Sequence, residues 1–427
     1  MDAVRYIHAA DLHLDTPFQG LSREAAQEGH LTRLLQNAAG TALERLIRLC
    51  EAERPHFLIL AGDIYNQEQR SVKAQLQLRD GCARLQRLGI PVFIAHGNHD
   101  PLSSRLTSVE WPDNVTIFGE TVERRPVLRD GRVLALVHGV SHARRQESRN
   151  LAKNFSRDDT RDDAFQIGVL HCAVEGQSSH ERYAPCTLSD LLEARLDAWA
   201  LGHIHERSVL QRVPFIAYSG NTQGLHINEQ GPRGCLSVTA TRDGSGWTCR
   251  EKFIPLSPVQ WRQRILELDD VTSIDDVEQR LLTTLDDAAR ETGPECEALM
   301  VRVRCTGRTP LDTLLRDPVA QGDLTERTLH LSSASPKIWL KDLVVETRPP
   351  VERAEYLRRE DLLGEAMRLM EAMRADPALL RSLAGPALDP LFRHPRFRGA
   401  LEAPDDEETR RLLDEAERLC ADLLEAR

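Results

Sequence analysis

Five short motifs in the first half of the chain carry side chains of the types that bind metal ions. In chain order they are Asp11-Leu12-His13, Gly62-Asp63, Gly97-Asn98-His99-Asp100, the single His171 and Gly202-His203-Ile204-His205. Each motif alone is weak evidence, because Gly-Asp is a common turn and a single histidine is more often structural. Together they offer carboxylate and amide oxygens with imidazole nitrogens, which is the ligand mixture of a two-metal hydrolase.

The spacing inside two of these motifs would let paired side chains reach one ion. Asp11 and His13 are two positions apart, and residues i and i+2 of an extended chain point to the same side. His203 and His205 have the same spacing. We therefore predict that each pair projects from the end of a strand towards a metal ion.

The other motif residues divide into ligands and one residue left for catalysis. Asp63 suits a bridging ligand, since its two oxygens can bind two cations about 3.5–4 Å apart. Asn98 supplies a neutral oxygen, and His171 completes the second site. His99 directly follows a ligand and cannot easily face the same ion, so we expect it to face the substrate as an acid or a phosphate contact.

Each motif follows a short apolar run with the character of a buried strand, at positions 6–10, 57–61, 92–95, 167–170 and 199–201. Strands that are apolar on both sides indicate helix-covered layers. Between the first two runs, Leu43, Leu46, Ile47 and Cys50 fall on one helix face. We therefore predict an α/β fold whose motifs meet at one sheet edge, where open α/β folds bind ligands.

The length of 427 residues exceeds one ordinary core and favours two or three domains. All the metal motifs lie within residues 1–258. Beyond Pro258, the alternation over 299–305 predicts a strand and 274–285 predicts a helix, which indicates a small α+β module over 259–348. After Pro349-Pro350, the range 349–427 has a helical composition.

The segment from Glu407 onwards has a continuous apolar stripe formed by Leu412, Leu413, Ala416, Leu419, Cys420, Leu423 and Leu424. Such a stripe on a helix must be covered. It either packs on the module before it or forms a docking face for another helix or coiled coil.

The net charge of −11 is not spread evenly along the chain. Residues 1–258 carry 30 Lys and Arg against 31 Asp and Glu, whereas residues 259–427 carry 25 against 35. In the nearly neutral first part, the range 101–150 has six acids and eight arginines, which are Arg105, Arg124, Arg125, Arg129, Arg132, Arg144, Arg145 and Arg149. The overall acidity argues against a generally basic nucleic-acid binder, and this arginine cluster is either a phosphate-facing patch or a solvated surface.

The nine cysteines include no Cys-x-x-Cys pair, which is typical of reduced thiols in a cytoplasmic protein. No apolar run approaches the roughly 18 residues of a membrane span. A cleaved signal peptide would remove the motif at Asp11. We therefore expect a cytoplasmic protein with no membrane segment.

The ordered motifs resemble those of the calcineurin-like metallophosphoesterase superfamily. The wider strings at 7–15, 61–65, 96–100 and 199–205, with Tyr218-Ser219-Gly220-Asn221 following, resemble its SbcD-type DNA-repair nuclease family and in particular the YhaO-type bacterial branch. The resemblance covers about residues 4–255 well and the remainder in outline. It implies a two-sheet sandwich flanked by helices, followed by a small α+β capping domain and C-terminal helices.

The resemblance also implies a ligand set and a reaction. One ion would take Asp11, His13, Asp63 and His205, and the other would take Asp63, Asn98, His171 and His203. Two divalent cations, usually manganese in this family although iron or zinc fits the same donors, would activate a water for in-line attack on a DNA phosphodiester. His99 would stabilise the transition state or protonate the departing sugar oxygen.

Members of this family act on DNA ends as dimers, as exonucleases or endonucleases in DNA repair, together with an SMC-like coiled-coil ATPase of the SbcC type. The C-terminal helices are then a candidate contact for the ATPase. For the homodimer, we expect the interface at the helix around 72–88.

The metal cage alone does not name the substrate. Phosphomonoesterases and nucleotide or cyclic-nucleotide hydrolases use the same cage, although a small-molecule phosphatase has little need for the 169 residues after residue 258. A non-catalytic scaffold is disfavoured, because every expected ligand and His99 are present.

Asn66 is the position where this chain departs from the family pattern. Many relatives carry an acid or a histidine three residues after the bridging carboxylate, where it supports the catalytic histidine. The amide oxygen of Asn66 can orient His99 by accepting its ring N–H, but it adds no full charge. We therefore predict a weaker acid–base pair in this protein than in relatives with an acid there.

Overall fold

The computed structural model describes residues 3–18, 29–66, 71–104, 109–175, 183–244, 246–269, 271–332, 334–350, 353–393 and 404–425. Its strands are β1 (Ala3–Ala9), β2 (Phe57–Ala61), β3 (Val92–Ala95), β4 (Val115–Ile117), β5 (Glu123–Arg129), β6 (Arg132–Gly139), β7 (Phe165–His171), β8 (Ala198–Gly202), β9 (Ser208–Gln211), β10 (Phe215–Tyr218), β11 (Gly234–Asp243), β12 (Gly246–Pro255), β13 (Val259–Glu267), β14 (Ala298–Thr306) and β15 (Lys337–Val345).

The helices are α1 (Gly29–Glu53), α2 (Val72–Gln86), α3 (Leu188–Glu193), α4 (Ile274–Arg290), α5 (Asp312–Leu315), α6 (Pro318–Leu331), α7 (Arg353–Tyr356), α8 (Leu362–Ala375), α9 (Pro377–Arg393) and α10 (Asp406–Glu425). Two short 3-10 helices, Leu151–Asn154 and Asp159–Arg161, precede β7. Among the described residues, no helix is both long and apolar enough to span a bilayer.

Two six-stranded sheets form the first part of the chain. Sheet 1 has the order β12-β11-β1-β2-β3-β4, and sheet 2 has the order β5-β6-β7-β8-β10-β9. The strands β1, β2, β3 and β4 are parallel, as are β6, β7, β8 and β10. Antiparallel strands complete the edges of both sheets. The carboxyl ends of the parallel strands are therefore available to build one site.

The two sheets share a core and are covered by helices on their outer faces. Aromatic side chains fill the space between the sheets, including Phe57 and Phe93 of sheet 1 and Phe165 of sheet 2. Helices α1 and α2 pack on sheet 1, while α3 and the first 3-10 helix pack on sheet 2. Every residue of β2, β3, β7 and β8 is buried. The predicted two-sheet α/β sandwich is thus confirmed.

A third sheet, of order β13-β14-β15, follows the sandwich. Trp261 of β13, Met300 of β14 and Trp339 of β15 are buried in one cluster with Leu31 and Leu35 of α1. The helix predicted over 274–285 is part of α4, and the strand predicted over 299–305 is part of β14.

The chain forms two compact units, each assembled from several segments. One comprises Met1–Leu266, Glu278–Arg304 and Gln321–Val344, and the other comprises Glu267–Val277, Cys305–Ala320 and Val345–Arg427. In the second unit, α8 and α10 pack through Leu363, Met367 and Ala421.

The predicted apolar stripe of α10 is divided between two environments. Leu413 is buried, and Cys420 and Leu424 pack against the cluster formed with α8. Leu412, Leu419 and Leu423 are exposed. One side of the stripe therefore holds the C-terminal helices together, and the other side faces solvent.

Candidate metal centre

Main-chain hydrogen bonds join the first two motifs where β1 and β2 end. The Asp11 N–H donates to the Gly62 carbonyl and the His13 N–H donates to the Asp63 carbonyl, each at 3.0 Å. Asp11, Asp63 and His171 are buried. The strand ends of both sheets thus bring the motif residues to one place.

The backbone that presents the ligands is not extended. Asp11, His13 and Asp63 have φ values of 51°, 44° and 50°, and His203 has a φ of 100°. Asp11 and His13 do lie together, as predicted. The extended chain expected between them is wrong, because β1 ends at Ala9 and both residues have left-handed backbone conformations. Such conformations are strained for residues other than glycine and cluster at functional sites.

Asp11, His13 and His205 form the first group of potential ligands, with one ligand atom from each lying within 4.8 Å of the others. The His13 Nε2 and His205 Nε2 atoms are 3.2 Å apart. The His13 Nε2 atom also lies 4.0 Å from Asp63 Oδ2. Two imidazole nitrogens that face each other beside carboxylates can bind one cation.

The second group is formed by Asp11, Asp63 and His171, again within 4.8 Å. The His171 Nε2 atom is 3.3 Å from Asp63 Oδ2 and 3.0 Å from Asn98 Oδ1. The rings of His171 and His203 pack edge to face with centroids 5.3 Å apart. Asp63 therefore faces both groups, which is the position that a bridging ligand requires.

Burial and charge push the pKa values of these groups in opposite directions. Burial raises the pKa of Asp11 to about 6 and lowers the pKa of His13 to about 3. Burial also opposes the charged ring of His171, but the adjacent Asp63 outweighs it and raises the pKa of His171 to about 9. Protons on these groups must leave when a metal binds, so metal binding here depends on pH.

Hydrogen bonds hold both the ring and the main chain of His171. The His171 Nδ1 atom lies 3.0 Å from the Ala61 carbonyl of β2. The ring of His142, in the loop after β6, contacts the His171 carbonyl through Nε2 at 2.7 Å. With Nδ1–H donating to Ala61, the Nε2 lone pair of His171 points towards Asp63 and Asn98, as a metal ligand must.

Asp100 is a positioning residue to which sequence reasoning gave no role. Its carboxylate accepts hydrogen bonds from the Gly97 N–H at 2.8 Å and the Ile64 N–H at 2.9 Å, and contacts His96 Nδ1 at 2.9 Å. It thereby ties the loop of Asn98 to the loop of Asp63. Its position at the end of the third motif could have indicated this role.

Glu229 was missed entirely, because it lies outside every motif. Its Oε1 atom forms a short hydrogen bond with His205 Nδ1, and its Oε2 atom accepts the Leu225 N–H at 2.6 Å. Burial opposes ionisation of this carboxyl, but His205 lowers the pKa of Glu229 to about 2. No spacing rule links position 229 to position 205, so no local sequence pattern could predict this contact.

Two glycines allow the ligands to approach closely. A Cβ atom at Gly97 would lie 2.3 Å from Asp63 Oδ1 and 2.8 Å from His171 Nε2. At Gly202 it would lie 1.8 Å from the Ala61 carbonyl oxygen. Any side chain at these two positions would therefore displace a ligand or push the sheets apart.

His99 stands at the exposed side of the cluster. Its ring is half-buried and packs edge to face on the ring of His13, with centroids 5.1 Å apart. The main-chain N–H of His99 donates to Asp63 Oδ1 at 2.8 Å. The Asn66 N–H donates to Asp15 Oδ1 at 2.8 Å, and the effect of Asn66 on His99 stays a prediction.

Two exposed arginines, Arg144 and Arg145, lie beside the loop that carries His99. The Leu102 and Ser103 N–H groups donate to the carbonyls of His142 and Ala143, at 3.0 and 3.1 Å. Among the other arginines of the cluster, Arg124 bonds to Ser156, Arg125 to Glu123, Arg129 to His56 and Arg149 to Glu147. Arg105 lies outside the described residues.

The donor set fits two divalent cations with mixed oxygen and nitrogen ligands. Asp11, Asp63 and Asn98 would supply oxygens, and His13, His171 and His205 would supply nitrogens. His203, the remaining predicted ligand, is in neither group of the described residues, and its ring packs on that of His171. The group of Asp11, His13 and His205 and the group of Asp11, Asp63 and His171 would each hold one ion. Asp11, predicted from the sequence to bind the first ion alone, belongs to both groups, whereas Asp63 belongs to the second and lies 4.0 Å from His13 of the first. The residues present therefore match a dinuclear hydrolytic centre, with His99 beside it.

Comparisons with known proteins show the family of this chain. The profile of the Calcineurin-like phosphoesterase family matches residues 4–207, and that of the Metallophosphoesterase YhaO middle domain matches residues 261–348. The chain is 31% identical over 416 residues to the Uncharacterized metallophosphoesterase YhaO of Bacillus subtilis (strain 168), covering 96% of both chains. A dimetal phosphatase from Danio rerio is similar at 12% identity, with a TM-score of 0.34 over 60% of this chain and 99% of the other. This chain therefore belongs to the calcineurin-like metallophosphoesterases and is a homologue of YhaO.

Proposed function

We propose that this protein is a metal-dependent DNA phosphodiester hydrolase that processes DNA ends, as an exonuclease or endonuclease in DNA repair. The observation that carries the proposal is the pair Arg144 and Arg145, exposed on a loop hydrogen-bonded to the loop after His99. Cationic side chains beside a phosphoesterase centre attract the phosphates that flank a scissile bond. A small phosphomonoester has no such flanking phosphates.

The residues of the centre have separable tasks in this reaction. Two divalent cations, when bound, lower the pKa of a water and offset charge on the phosphoryl oxygens. Asp11, Asp63, Asn98 and the four predicted ligand histidines would hold them. His99, free of the ligand set and half-buried at the open side, stabilises the transition state or protonates the leaving sugar oxygen.

Manganese is the proposed metal, in keeping with the resemblance to SbcD-type nucleases. Iron and zinc accept the same mixture of oxygen and nitrogen donors, so affinity alone does not separate the three metals. The proposed location is the cytoplasm, which is supported by nine free cysteines. They include Cys172 and Cys186, whose thiols form a hydrogen bond at 3.7 Å and no disulfide.

The substrate is tested by comparing manganese-dependent cleavage of linear DNA, p-nitrophenyl phosphate and cyclic nucleotides. We expect DNA cleavage that weakens with rising salt and is lost in His99→Ala. Faster turnover of p-nitrophenyl phosphate or a cyclic nucleotide than of DNA would instead identify a phosphomonoesterase or a nucleotide hydrolase. Undiminished turnover in His99→Ala would contradict its catalytic role.

A charge-reversal pair tests the arginine loop. Arg144→Glu with Arg145→Glu should reduce DNA cleavage at least about tenfold, with a smaller effect on p-nitrophenyl phosphate, because several phosphate contacts are lost. The matched control is Arg129→Glu with Arg132→Glu, which makes the same charge change at the β5–β6 turn, at the opposite end of β6. Equal losses in both double variants would rule out a specific DNA contact.

We further propose an SMC-like coiled-coil ATPase of the SbcC type as the partner, bound through the C-terminal helices. Leu412, Leu419 and Leu423 are exposed along α10, with 42%, 56% and 63% of their surfaces accessible. An apolar row on a helix suits a coiled-coil partner. Capture of the ATPase by the wild type, and its loss when the three leucines become serine, would support this contact.

A homodimer through α2 is the proposed assembly. The helix exposes Val72 and Leu76 while its opposite side packs on α1. Replacement of both with glutamate should convert a dimer into a monomer in sedimentation experiments. A wild type that sediments as a monomer would disprove the proposal.

A further inference from the structure

We propose that Glu229 is a positioning residue that orients the ligand His205 and couples the metal centre to β13, the first strand of the third sheet. The inference rests on the metal-binding part of the proposed function and is independent of the substrate.

Glu229 fixes the tautomer of His205. Its carboxylate is bonded to His205 Nδ1, and an ionised carboxylate only accepts hydrogen bonds, so Nδ1 carries the proton. The lone pair is then on Nε2, the atom that lies 3.2 Å from His13 Nε2 within the first ligand group. A carboxylate behind a ligand histidine makes the imidazole a stronger donor and fixes its ring.

The main chain of His205 is held from the same segment. Arg233, which is buried, donates from Nη1 to the His205 carbonyl and from Nη2 to the Gln230 carbonyl. The ring and the carbonyl of His205 are therefore both bonded to residues 229–233. His205 needs this support because its side chain is 30% exposed, whereas the side chain of His171 is fully buried.

The loop 223–231 that carries Glu229 is bonded along its length to β13. The Gln223 side chain donates to the Val259 carbonyl at 2.8 Å, and Trp261 Nε1 donates to the Gly224 carbonyl at 2.9 Å. The Gly231 N–H donates to the Trp261 carbonyl at 3.0 Å. The Gln263 N–H donates to the Gln230 side chain at 2.9 Å.

These contacts form one connected path from the third sheet to the metal centre. The buried Trp261 fixes the loop, the loop fixes Glu229, and Glu229 fixes His205. A displacement of β13 would therefore turn the His205 ring away from His13, whereas the group of Asp11, Asp63 and His171 would keep its geometry. The position of the third sheet would thus affect how tightly the group of Asp11, His13 and His205 binds a cation.

The test measures manganese binding to the full-length protein by calorimetry and by the electron paramagnetic resonance of free Mn²⁺. In Glu229→Gln, one of the two sites should weaken by about 10- to 100-fold while the other is unchanged. High manganese should restore kcat, so the apparent KM for the metal rises more than kcat falls. Trp261→Phe, which removes the hydrogen bond to Gly224, should weaken the same site by a smaller factor.

Glu193→Gln is the matched control, because it makes the same substitution at an exposed residue at the end of α3, whose carboxylate lies beside Ser189 and not beside His205 or Arg233. It should leave both manganese affinities unchanged. If Glu229→Gln does not fold, Glu229→Asp provides the test, since it keeps the charge and shortens the reach.

Wild-type affinities at both sites in a folded Glu229→Gln or Glu229→Asp protein would overturn the positioning role. Equal weakening of both sites would also overturn it. A wild type that binds no manganese would instead refute the metal centre itself, which separates the two failures.

Discussion

The two sheets contribute to the centre in different ways. Sheet 1 supplies all the oxygen donors, which are Asp11, Asp63 and Asn98, together with His13, and each follows its strand by two to four residues. Three of these four residues have left-handed backbone conformations. Sheet 2 supplies only histidines, and His171 is still the last residue of β7.

Side-chain length explains this difference. In aspartate and asparagine the donor oxygen lies close to the main chain, so the backbone itself must come close to the ions and turn sharply. Imidazole extends further, so a histidine can reach the centre from a regular strand if its ring is held. Sheet 1 thus presents three of its four candidate ligands from left-handed turns, whereas sheet 2 has one such residue, His203, and orients His171 by a hydrogen bond to Ala61.

A substitution at the contact between the two sheets should have the largest effect, a loss of folding stability. Gly202→Ala would place a methyl group 1.8 Å from the Ala61 carbonyl. We expect a loss of about 3 kcal/mol of stability and a Tm about 6–12 °C lower, measured with EDTA present. Gly322→Ala, in α6 with nothing within 4 Å of the added carbon, is the control. A Tm equal to that of the control would show that the sheets can separate without penalty.

A change within the turns of sheet 1 should act on metal binding more than on folding. Gly97→Ala places a carbon 2.3 Å from Asp63 Oδ1. Manganese affinity and phosphodiester cleavage should fall by about 100-fold, with a smaller loss of Tm in EDTA than in Gly202→Ala. Calorimetric titration with manganese and thermal unfolding measure the two effects. If stability falls and manganese binding does not, the division of tasks between the sheets is wrong.

Asn66 should have an intermediate effect, confined to catalysis. Asn66→Asp puts a full negative charge at the position predicted to support His99, so the basic limb of the pH–rate profile should move to higher pH. Asn66→Ala controls for loss of the amide. An unchanged profile in Asn66→Asp would remove Asn66 from the acid–base pair.

The smallest effect should come from a helix cap in the layer of sheet 2. The Thr187 N–H and hydroxyl, each at 2.8 Å, hold the pKa of Asp190 at about 2. Because this pKa is lowered by folding, the stabilisation is complete above the unfolded pKa of about 4 and is lost as pH falls towards 2.

Asp190→Asn should therefore reduce stability by about 1 kcal/mol at pH 7 and by progressively less towards pH 2. Chemical denaturation across this pH range measures the difference. Manganese binding at pH 7 should not change, since Asp190 contacts no ligand residue in the described part of the chain. If Asp190→Asn is still less stable than the wild type by the same amount at pH 2, the charge of Asp190 is not the cause of the stabilisation.

The fold, and the meeting of the candidate ligands at the strand ends, were accessible from the sequence for one reason. The candidate ligands lie at or just after the ends of largely buried strands, and such strands are visible as apolar runs. The period of the apolar residues likewise located α1 through Leu43 and Leu46, and α4 through 274–285. The domain boundaries at 258 and 348 stay predictions.

What could not be predicted depends on contacts between distant segments. Glu229 meets His205 across 24 positions, and Ala61 meets His171 across 110. The left-handed turns at Asp11 and His13 also had no signal, because their i, i+2 spacing is equally compatible with an extended strand. Local periodicity reports which side of an element is buried, but it does not report which distant residue is found there.

The division of ligands between the sheets makes the metal ions part of the folding equilibrium. A cation held by Asp63 and His171 joins the end of β2 to the end of β7, and only the folded chain brings these ends together. Each site that is filled at 100 times its Kd would add about 2.7 kcal/mol to the stability of the docked sheets. Metal supply would then set the lifetime of the folded protein as well as its activity, and a chelator would shorten both.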